Sequence, residues 1–389
     1  MKTEIYIHIP FCVRKCAYCD FLSFPAAENM QKQYLDALLQ EIRDGFGRIP
    51  DIGSVCCRPE EKNEASSIFI GGGTPSVLPA EGIEEILKAV RHVFFVGKDA
   101  EITIEVNPGT VDPEKLQRYQ QAGISRISIG CQSFQNAELQ TLGRIHTRED
   151  ILQCAAMARR AGFQNLNIDL MSGIPGQTLA SWEDTLHQAV HLEPEHISAY
   201  SLILEEGTPF FERYGCGGGD DLPDEETERR MYERTGEILS AAGYRQYEIS
   251  NYARKGYACR HNLGYWTGVP YMGFGLGAAG YLPAEGSRYF RYTHTRDLQT
   301  YLKNPFTYQE AQMLNKEGQE AEFMILGLRM TDGVEEEEFG RRFGEPAEAV
   351  YGQVLDKYER LGLLIREDGH IRLSRAGISV SNPILADFL

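Results

Sequence analysis

The sequence predicts an α/β fold over roughly its first half and a smaller, mainly helical, winged-helix-like domain at its end. Strand-like segments rich in Ile, Val, Thr and Tyr alternate with helical patterns over the first 200 residues, which indicates a parallel sheet built from right-handed crossovers. Polar and glycine-rich residues follow several of these strands. Either an open sheet or a partial barrel would place such residues at the carboxyl ends of its strands.

The predicted strands and helices follow from composition and from capping residues. We expect six strands, at Ile5–Ile9, Ser67–Ile70, Glu101–Val106, Arg126–Ile129, Asn165–Leu170 and His196–Leu202. We expect helices at Glu28–Phe46, Pro79–Phe95, Asp112–Ala122, Arg148–Ala161, Ser181–His191 and Pro223–Ala242. Asp112 before Pro113 is typical of an N-cap with proline at the first helical position. Gly123 and Gly162 are expected to end their helices.

The last part of the chain changes to short helices and one hairpin. Helices are predicted at Glu320–Arg329, Glu335–Phe343 and Ala347–Leu361, followed by strands Leu364–Arg366 and His370–Leu373 around an Asp-Gly turn. Three helices and a hairpin form a winged-helix-like plan. The stretch from Glu335 to Arg360 holds eight acids and four bases, which argues against DNA recognition. We divide the chain into residues 1–215, a connecting segment 216–308 that carries His261–Trp266, and a C-terminal domain 309–389.

Charge and hydropathy exclude several functions. The 39 Lys and Arg residues against 56 Asp and Glu residues give a net charge of −17, so nucleic acid is not an expected partner. No apolar run approaches the roughly 18 residues that a membrane-spanning helix needs. Because Met1-Lys2-Thr3-Glu4 leads directly into a strand, we expect no signal peptide and a cytoplasmic location, where thiols stay reduced.

Three of the nine cysteines crowd into one short loop after the first strand. Cys12, Cys16 and Cys19 have the spacing C-x3-C-x2-C, and position 21, where a fourth ligand could stand, is Phe21. A closed zinc site needs four protein ligands, whereas an iron–sulfur cube held by three cysteines leaves one iron open. The pattern favours such a cluster, with zinc or plain packing as the alternatives.

Other polar signals gather at the same predicted edge of the sheet. Gly71-Gly72-Gly73-Thr74-Pro75 follows the second strand, Glu105 ends the third, Gln132 follows the fourth, and Asp169 lies in the fifth. Packing alone does not explain so many polar or glycine-rich signals at one edge. An acid in the apolar run that ends at Glu105 must lie at a sheet end or be paired.

Together these motifs resemble the radical S-adenosylmethionine (SAM) enzymes. The segments Tyr6–Cys12, Glu105–Gly109, Ser128–Phe134 and Ile168–Thr178 are similar to those of the oxygen-independent coproporphyrinogen III oxidase family. The resemblance implies a partial (β/α)6 TIM-like barrel in which the three cysteines bind a 4Fe-4S cluster. It also implies a SAM site, formed by Tyr6, Gly72, Gly73, Thr74, Glu105, Gln132, Arg144 and Asp169.

Three features point to the heme chaperone branch of that family. Phe21 stands where the oxidases carry a further cysteine, the cluster motif begins already at Cys12 without a long preceding segment, and His261-Asn262-Leu263-Gly264-Tyr265-Trp266 resembles a motif of the branch. This resemblance implies heme binding, with His261 as a candidate ligand, and delivery to acceptor hemoproteins, membrane-bound ones among the candidates. A monomer or weak homodimer is expected.

Two alternatives stay open: oxidative decarboxylation of coproporphyrinogen III, which we consider less favoured, and radical chemistry on another tetrapyrrole. Whether the chain is an enzyme is therefore left undecided. Two basic runs are candidate partners for heme propionates: Arg254, Lys255 and Arg260, and then Arg288, Arg291 and Arg296. The remaining cysteines have no assigned role: Cys56, Cys57, Cys131, Cys154, Cys216 and Cys259. Packing is the default for most of them, with Cys259 an alternative heme ligand.

Overall fold

A computed structural model describes residues 2–45, 63–215, 219, 221–284 and 288–389. The predicted α/β region is confirmed, and its six strands are neighbours in sequence order, paired in parallel. They are β1 Lys2–Ile9, β2 Glu64–Gly72, β3 Phe95–Val106, β4 Arg126–Gln132, β5 Leu166–Ser172 and β6 His196–Ser201. Their bounds overlap the predicted ranges, and the largest difference is in β3, which begins at Phe95 and not at Glu101.

Five of the six helices between the strands lie where the periodicity predicts them, and the short helix at Asn136–Thr141 was not predicted. They are α1 Glu28–Asp44, α2 Ala80–Val93, α3 Pro113–Gln121, α4 Asn136–Thr141, α5 Arg148–Arg160 and α6 Leu179–His191, with a 3₁₀ turn at Pro75–Val77. The Asp112 side chain accepts a hydrogen bond from the Lys115 N–H, which confirms the predicted N-cap. Gly123 and Gly162 have φ of 92° and 99°, as expected where helices end.

Alternate side chains of β1 face opposite sides of the sheet. Ile5 and Ile7 are fully buried in the main hydrophobic core. Tyr6 and His8, which point to the opposite face, contact each other and other polar side chains. We call this second face of the sheet the inner face. It carries the polar side chains that form the candidate site.

The sheet continues beyond the six predicted strands at both edges. Later segments of the chain are α7 Pro209–Tyr214, α8 Glu225–Ala241, β7 Arg245–Gln246, β8 Asn251–Ala253, α9 Arg260–Trp266, β9 Tyr271–Phe274, β10 Ala279–Pro283, β11 Tyr289–His294, α10 Leu298–Lys303 and β12 Tyr308–Leu314. Within the described residues the sheet has twelve strands, in the order β12-β11-β10-β9-β1-β2-β3-β4-β5-β6-β8-β7. Strand β9 is parallel to β1, so the connecting segment extends the sheet.

The C-terminal domain has its own core, as the winged-helix-like prediction requires. It contains α11 Lys316–Gly327, β13 Val334–Glu335, α12 Glu336–Phe343, α13 Ala347–Arg360, β14 Leu364–Glu367, β15 His370–Leu373, α14 Arg375–Ser379 and α15 Ser381–Ala386. The Asp-Gly hairpin is present, and β13 adds a third strand to it. Because β12 remains in the large sheet up to Leu314, we propose that this domain begins near Asn315 and not at residue 309.

No helix in the described part of the chain is long and apolar enough to cross a membrane. Cys56, Cys57 and Cys216 lie outside the described residues. Cys131, Cys154 and Cys259 are free and fully buried, which agrees with packing roles.

Candidate functional site

The cysteine loop leaves the carboxyl end of β1 and is tied to neighbouring segments by backbone hydrogen bonds. The Cys12 N–H donates to the Phe24 carbonyl at 3.1 Å, and the Ala17 N–H donates to the Leu142 carbonyl at 3.2 Å. Cys12, Cys16 and Cys19 are all free and partly exposed, and burial raises the pKa of the Cys19 thiol. The loop therefore presents three thiols, reachable from solvent, at one edge of the sheet.

The donor set of this loop fits an iron–sulfur cluster better than a single metal ion. Among the described residues, no three His, Cys, Asp or Glu side chains converge on one possible metal position. A closed zinc site would require such convergence, whereas in a 4Fe-4S cube each cysteine binds a different iron. Hydrogen bonds directed at two of the sulfurs add to the fit, because such bonds tune clusters of this kind.

A chain of hydrogen bonds connects Cys12 with Cys16. The Thr74 hydroxyl donates to the Cys12 Sγ at 3.5 Å and accepts from the Asn107 amide at 2.8 Å. Arg144 in turn donates to the Asn107 Oδ1 at 2.7 Å and to the Cys16 Sγ at 3.6 Å. Two of the residues expected at the SAM site, Thr74 and Arg144, thus lie beside the cysteines. Asn107 joins them and was not predicted.

The glycines after β2 allow close approach of backbone and side chains. A Cβ atom on Gly73 would lie 2.6 Å from the Phe11 carbonyl oxygen, and one on Gly72 would lie 2.6 Å from the His8 ring. Gly72 also has φ of 113°, a conformation that favours glycine. Its N–H donates to the Glu105 carboxylate at 3.0 Å. A side chain at either position would therefore overlap with His8 or with the Phe11 backbone.

Two partly buried carboxylates lie near each other on the inner face. Burial, and next the charge of Asp169, raise the pKa of Glu105 to about 8. Burial likewise raises the pKa of Asp169, although hydrogen bonds from Asn167 at 2.7 Å and from Ser128 at 3.1 Å oppose that shift. Arg126 lies nearby, fully buried, and its charge lowers the pKa of both acids. A cationic ligand would stabilise the ionised form of both carboxylates.

Gln132 and Tyr6 complete the set of expected SAM-site residues. Gln132 has φ of 70°, unusual for a non-glycine residue, and lies where the register of β4 against β5 shifts. Such strain clusters at functional sites and costs about 1–3 kcal/mol. The Tyr6 hydroxyl is within 3.0 Å of the His8 Nδ1, and its ring lies near those of Phe69 and His261. Tyr6 therefore lies between the cofactor edge and α9.

His261 is not at the cysteine edge. Its Nδ1 lies 2.9 Å from the Ser67 hydroxyl and 3.7 Å from the Glu4 carboxylate, in the first halves of β2 and β1. Burial lowers the pKa of His261 to about 3 and raises the pKa of Glu4 to about 9. Both groups are therefore neutral near pH 7, and their contact is not an ion pair. The structure gives the Nε2 of this neutral imidazole no hydrogen-bond partner among the residues that it describes.

Hydrogen bonds on the inner face connect Asp169 with the start of α9. The Asn167 Oδ1 lies 2.5 Å from the His196 Nδ1, and the His196 Nε2 lies 2.8 Å from the Tyr247 hydroxyl. That hydroxyl accepts from the Cys259 N–H at 3.4 Å. The Cys259 thiol donates to Glu101 and is fully buried, which makes it a poor heme ligand. Asn167 and Asp169 alternate with apolar residues along β5, and this pattern in the sequence could have indicated the network.

His261 borders a large cavity, with a volume of about 1280 Å³. The cavity extends from the end of β6 to α9 and the C-terminal domain, and its wall includes Tyr265 and Trp266. Most of the predicted propionate partners are elsewhere: Arg254 lies over the Tyr244 ring, Arg260 donates to the Asp99 carbonyl, and Arg291 pairs with Glu322. The two basic runs therefore do not form one clamp. Arg329, which the sequence did not single out, borders the cavity instead.

Comparisons with known proteins identify the family. Residues 6–189 match the model of the radical SAM superfamily, and residues 314–380 match that of the HemN C-terminal domain. The chain is 38% identical to "Heme chaperone HemW" of Haemophilus influenzae, over 90% of this chain and 88% of that protein. It is 35% identical to the Bacillus subtilis protein of that name, over 99% of this chain and 98% of that protein.

The fold also matches a solved structure. Coproporphyrinogen III oxidase (HemN) from Escherichia coli, a radical SAM enzyme, superposes with a TM-score of 0.82 at 23% identity, over 100% of this chain and 90% of that one. This likeness confirms the predicted radical SAM barrel and the C-terminal domain. The relatives confirm the branch that the motifs indicated. The chain belongs to the HemW family within the radical SAM superfamily.

Proposed function

We propose that this protein binds heme and delivers it to acceptor hemoproteins, and that it holds a 4Fe-4S cluster and SAM at the carboxyl edge of its sheet. The observation that carries the heme proposal is the position of the His261–Trp266 motif. Four of its residues border one cavity of about 1280 Å³: His261, Asn262, Tyr265 and Trp266. That volume is large compared with the roughly 300–1,000 Å³ of ordinary ligand pockets, so a macrocycle can be accommodated.

The side chains at the cavity suit heme. A neutral imidazole is a common axial ligand of heme iron, and the low pKa of His261, about 3, keeps it neutral at physiological pH. Tyr265 and Trp266 supply aromatic surface, with Tyr265 40% exposed. An exposed aromatic side chain in the wall of a cavity offers a surface that a flat, apolar ring can cover.

The cofactor edge has residues for each part of the expected cofactors. We assign Cys12, Cys16 and Cys19 to the cluster, Gly72, Gly73 and Thr74 to the SAM methionine group, and Glu105, Gln132, Arg144, Asp169 and Tyr6 to further SAM contacts. When bound, a reduced cluster with SAM supplies one-electron chemistry that protein side chains cannot provide. The residues named here bind and orient SAM. Glu105 and Asp169 offer negative charge to its cationic groups, and Arg144 offers a guanidinium to its carboxylate.

A heme titration tests the proposal. Anaerobically reconstituted protein should bind heme in a saturable one-to-one manner by absorbance, and pass it to an apo-hemoprotein. His261→Ala should weaken heme binding at least tenfold while leaving the iron content of the cluster unchanged, and His92→Ala, at an exposed position of α2, should change neither. Absence of heme binding by the wild type would contradict the proposal. Conversion of coproporphyrinogen III to protoporphyrinogen IX with SAM and reductant would support the oxidase alternative instead.

We further propose a cytoplasmic location, because the three free thiols of the cluster loop need a reducing compartment. Membrane-bound hemoproteins are among the candidate acceptors. A monomer or weak homodimer remains our expectation, and sedimentation of the reconstituted protein with and without heme tests it.

A further inference from the structure

Two arginines line the heme cavity, and they differ in their partners. Arg229 is paired with the Glu226 carboxylate at 2.7 Å and also with Glu233. Arg329, by contrast, has no carboxylate within ion-pair distance among the residues that the structure describes. Its charge is therefore not neutralised by a direct contact in a chain that is otherwise strongly acidic.

The guanidinium of Arg329 lies over the ring of Trp266, in the His261–Trp266 motif. Its central carbon lies 4.8 Å from the centroid of the Trp266 ring, a distance typical of a cation–π contact. Its Nε is buried and has no hydrogen-bond partner among the described residues. Leaving such a donor unsatisfied is costly, and a native structure that does so calls for an explanation such as a ligand.

Glu248 is an acid close to Arg329, but it does not accept a hydrogen bond from the Arg329 Nε. A backbone bridge between Glu248 and Met330 brings Glu248 close to Arg329. The Glu248 carboxylate instead accepts the Ser250 N–H at 3.0 Å and the Asn251 amide. Burial raises the pKa of Glu248, whereas these hydrogen bonds and the charge of Arg329 lower it.

The remaining acids of the cavity come from the start of α8. Asp224 caps that helix by accepting the Thr227 N–H at 2.8 Å, and Glu225 and Glu228 follow it along the cavity wall. These carboxylates repel an anionic ligand group. The charges therefore favour an anion at the Arg329 side of the cavity and disfavour it at the α8 side.

We propose that Arg329 binds a propionate carboxylate of the tetrapyrrole while Trp266 lies against the ring. This inference rests on the proposed heme function and specifies which ligand group the cavity recognises. The planar guanidinium can donate two parallel hydrogen bonds to one carboxylate. Its contact with Trp266 restricts the motion of the guanidinium before the ligand arrives, which reduces the entropy lost on binding.

The test compares heme with heme dimethyl ester, in which both propionates are esterified and uncharged. Arg329→Met should weaken heme binding about tenfold to a hundredfold, the usual range for a charge-assisted pair, and leave binding of the ester nearly unchanged. Arg329→Lys keeps the charge and should recover part of the loss. The matched control is Arg234→Met, because Arg234 also lies in α8 and pairs with Glu183 and Glu237 but does not border the cavity, so the affinity for heme should change by less than about threefold.

Two results would overturn the inference while leaving heme binding intact: equal heme affinity for Arg329→Met and the wild type, or an equal loss for heme and for the ester. The second result would mean that Arg329 only supports the cavity wall. Thermal unfolding of each variant shows whether the fold survives, and the Lys variant provides a second measure if the Met variant is unstable. If the wild type binds neither ligand, the proposed function itself fails, together with this inference.

Discussion

Arg144 and Asn107 are joined by a hydrogen bond of 2.7 Å between the guanidinium and the amide oxygen. The same arginine nitrogen donates to the Gly130 carbonyl at 2.6 Å. Gly130 makes room for this arrangement, because a Cβ atom there would lie 2.6 Å from the Asn107 Oδ1. Two neutral acceptors thus hold a partly buried cation next to the cysteine loop, and no acid of the described residues pairs with it.

Asn107→Ala should destabilise the protein, because it removes an acceptor of Arg144 and the donor to Thr74. Leaving these groups unsatisfied should lower the free energy of unfolding by about 1–3 kcal/mol. Urea unfolding of the cluster-free protein measures this. Gln120→Ala, at an exposed position of α3, is the control and should change the value by less than about 0.5 kcal/mol. An equally small change in both variants would show that solvent replaces the bonds of Asn107.

Replacing Cys12, Cys16 and Cys19 together by serine should abolish the iron–sulfur cluster, because hydroxyl groups are poor ligands for it. Anaerobically reconstituted wild type should hold about four irons and four sulfides per chain, and the triple variant close to none. Cys154→Ala is the matched control, since that thiol is fully buried away from the loop and should leave the iron content unchanged. Equal iron content in the triple variant and the wild type would contradict the assignment.

Local sequence signals were sufficient for the elements that position the cofactor edge. Glu105 and Asp169 could be placed at one edge because the carboxyl ends of parallel strands meet there, and the Asp112 N-cap followed from its proline neighbour. Asn107 was within a motif that the sequence displayed, directly before Pro108. Its role could not be predicted there, because it depends on contacts with Thr74 and Arg144 from other segments.

Other features depend on contacts between distant segments, which local patterns do not report. Strand β9 pairs with β1 across more than 250 positions of the chain, and β12 extends the same sheet, so the connecting segment could not be recognised as part of it. Arg329 lies two residues after the end of α11 and contacts Trp266 only in the folded chain. By composition, the basic runs near residues 254–260 and 288–296 were the stronger candidates for binding propionates. In the structure, three of their arginines contact other protein groups instead.

The stability of the cluster-free protein should depend on pH through Glu105. Burial raises the pKa of this carboxyl from 4.5 to about 8, so between these values the folded state binds more protons than the unfolded state. The stability that this group contributes is therefore fully present below about pH 4.5 and is lost as the pH rises towards 8. Over that range the free energy of unfolding should fall by on the order of 1 kcal/mol per pH unit.

Glu105→Gln cannot ionise and should remove that decline. Urea unfolding between pH 5 and pH 9 should show the variant gaining stability relative to the wild type up to about pH 8 and no further. Glu114→Gln, at an exposed position of α3, should instead follow the wild-type profile. Parallel profiles for Glu105→Gln and the wild type would show that Glu105 is not the group that titrates.

Gly264→Ala should displace α9, because the added methyl group has no space. A Cβ atom at Gly264 would overlap the Glu4 carboxylate, and Glu4 is only 3% exposed. Overpacking of this kind costs about 1–3 kcal/mol, so the melting temperature should fall. Heme affinity should fall as well, because Gly264 lies between His261 and Tyr265 in the helix that borders the cavity.

The control for this change is another helical glycine with open surroundings. A Cβ atom at Gly340 in α12 would meet no other atom within 4 Å, so Gly340→Ala should raise the free energy of unfolding by about 0.5–1 kcal/mol through the better helix propensity of alanine. The two substitutions are chemically identical and should have opposite signs. Stabilisation by Gly264→Ala, with unchanged heme affinity, would mean that Glu4 moves aside at no cost and that the packing of α9 on β1 does not hold the motif in place.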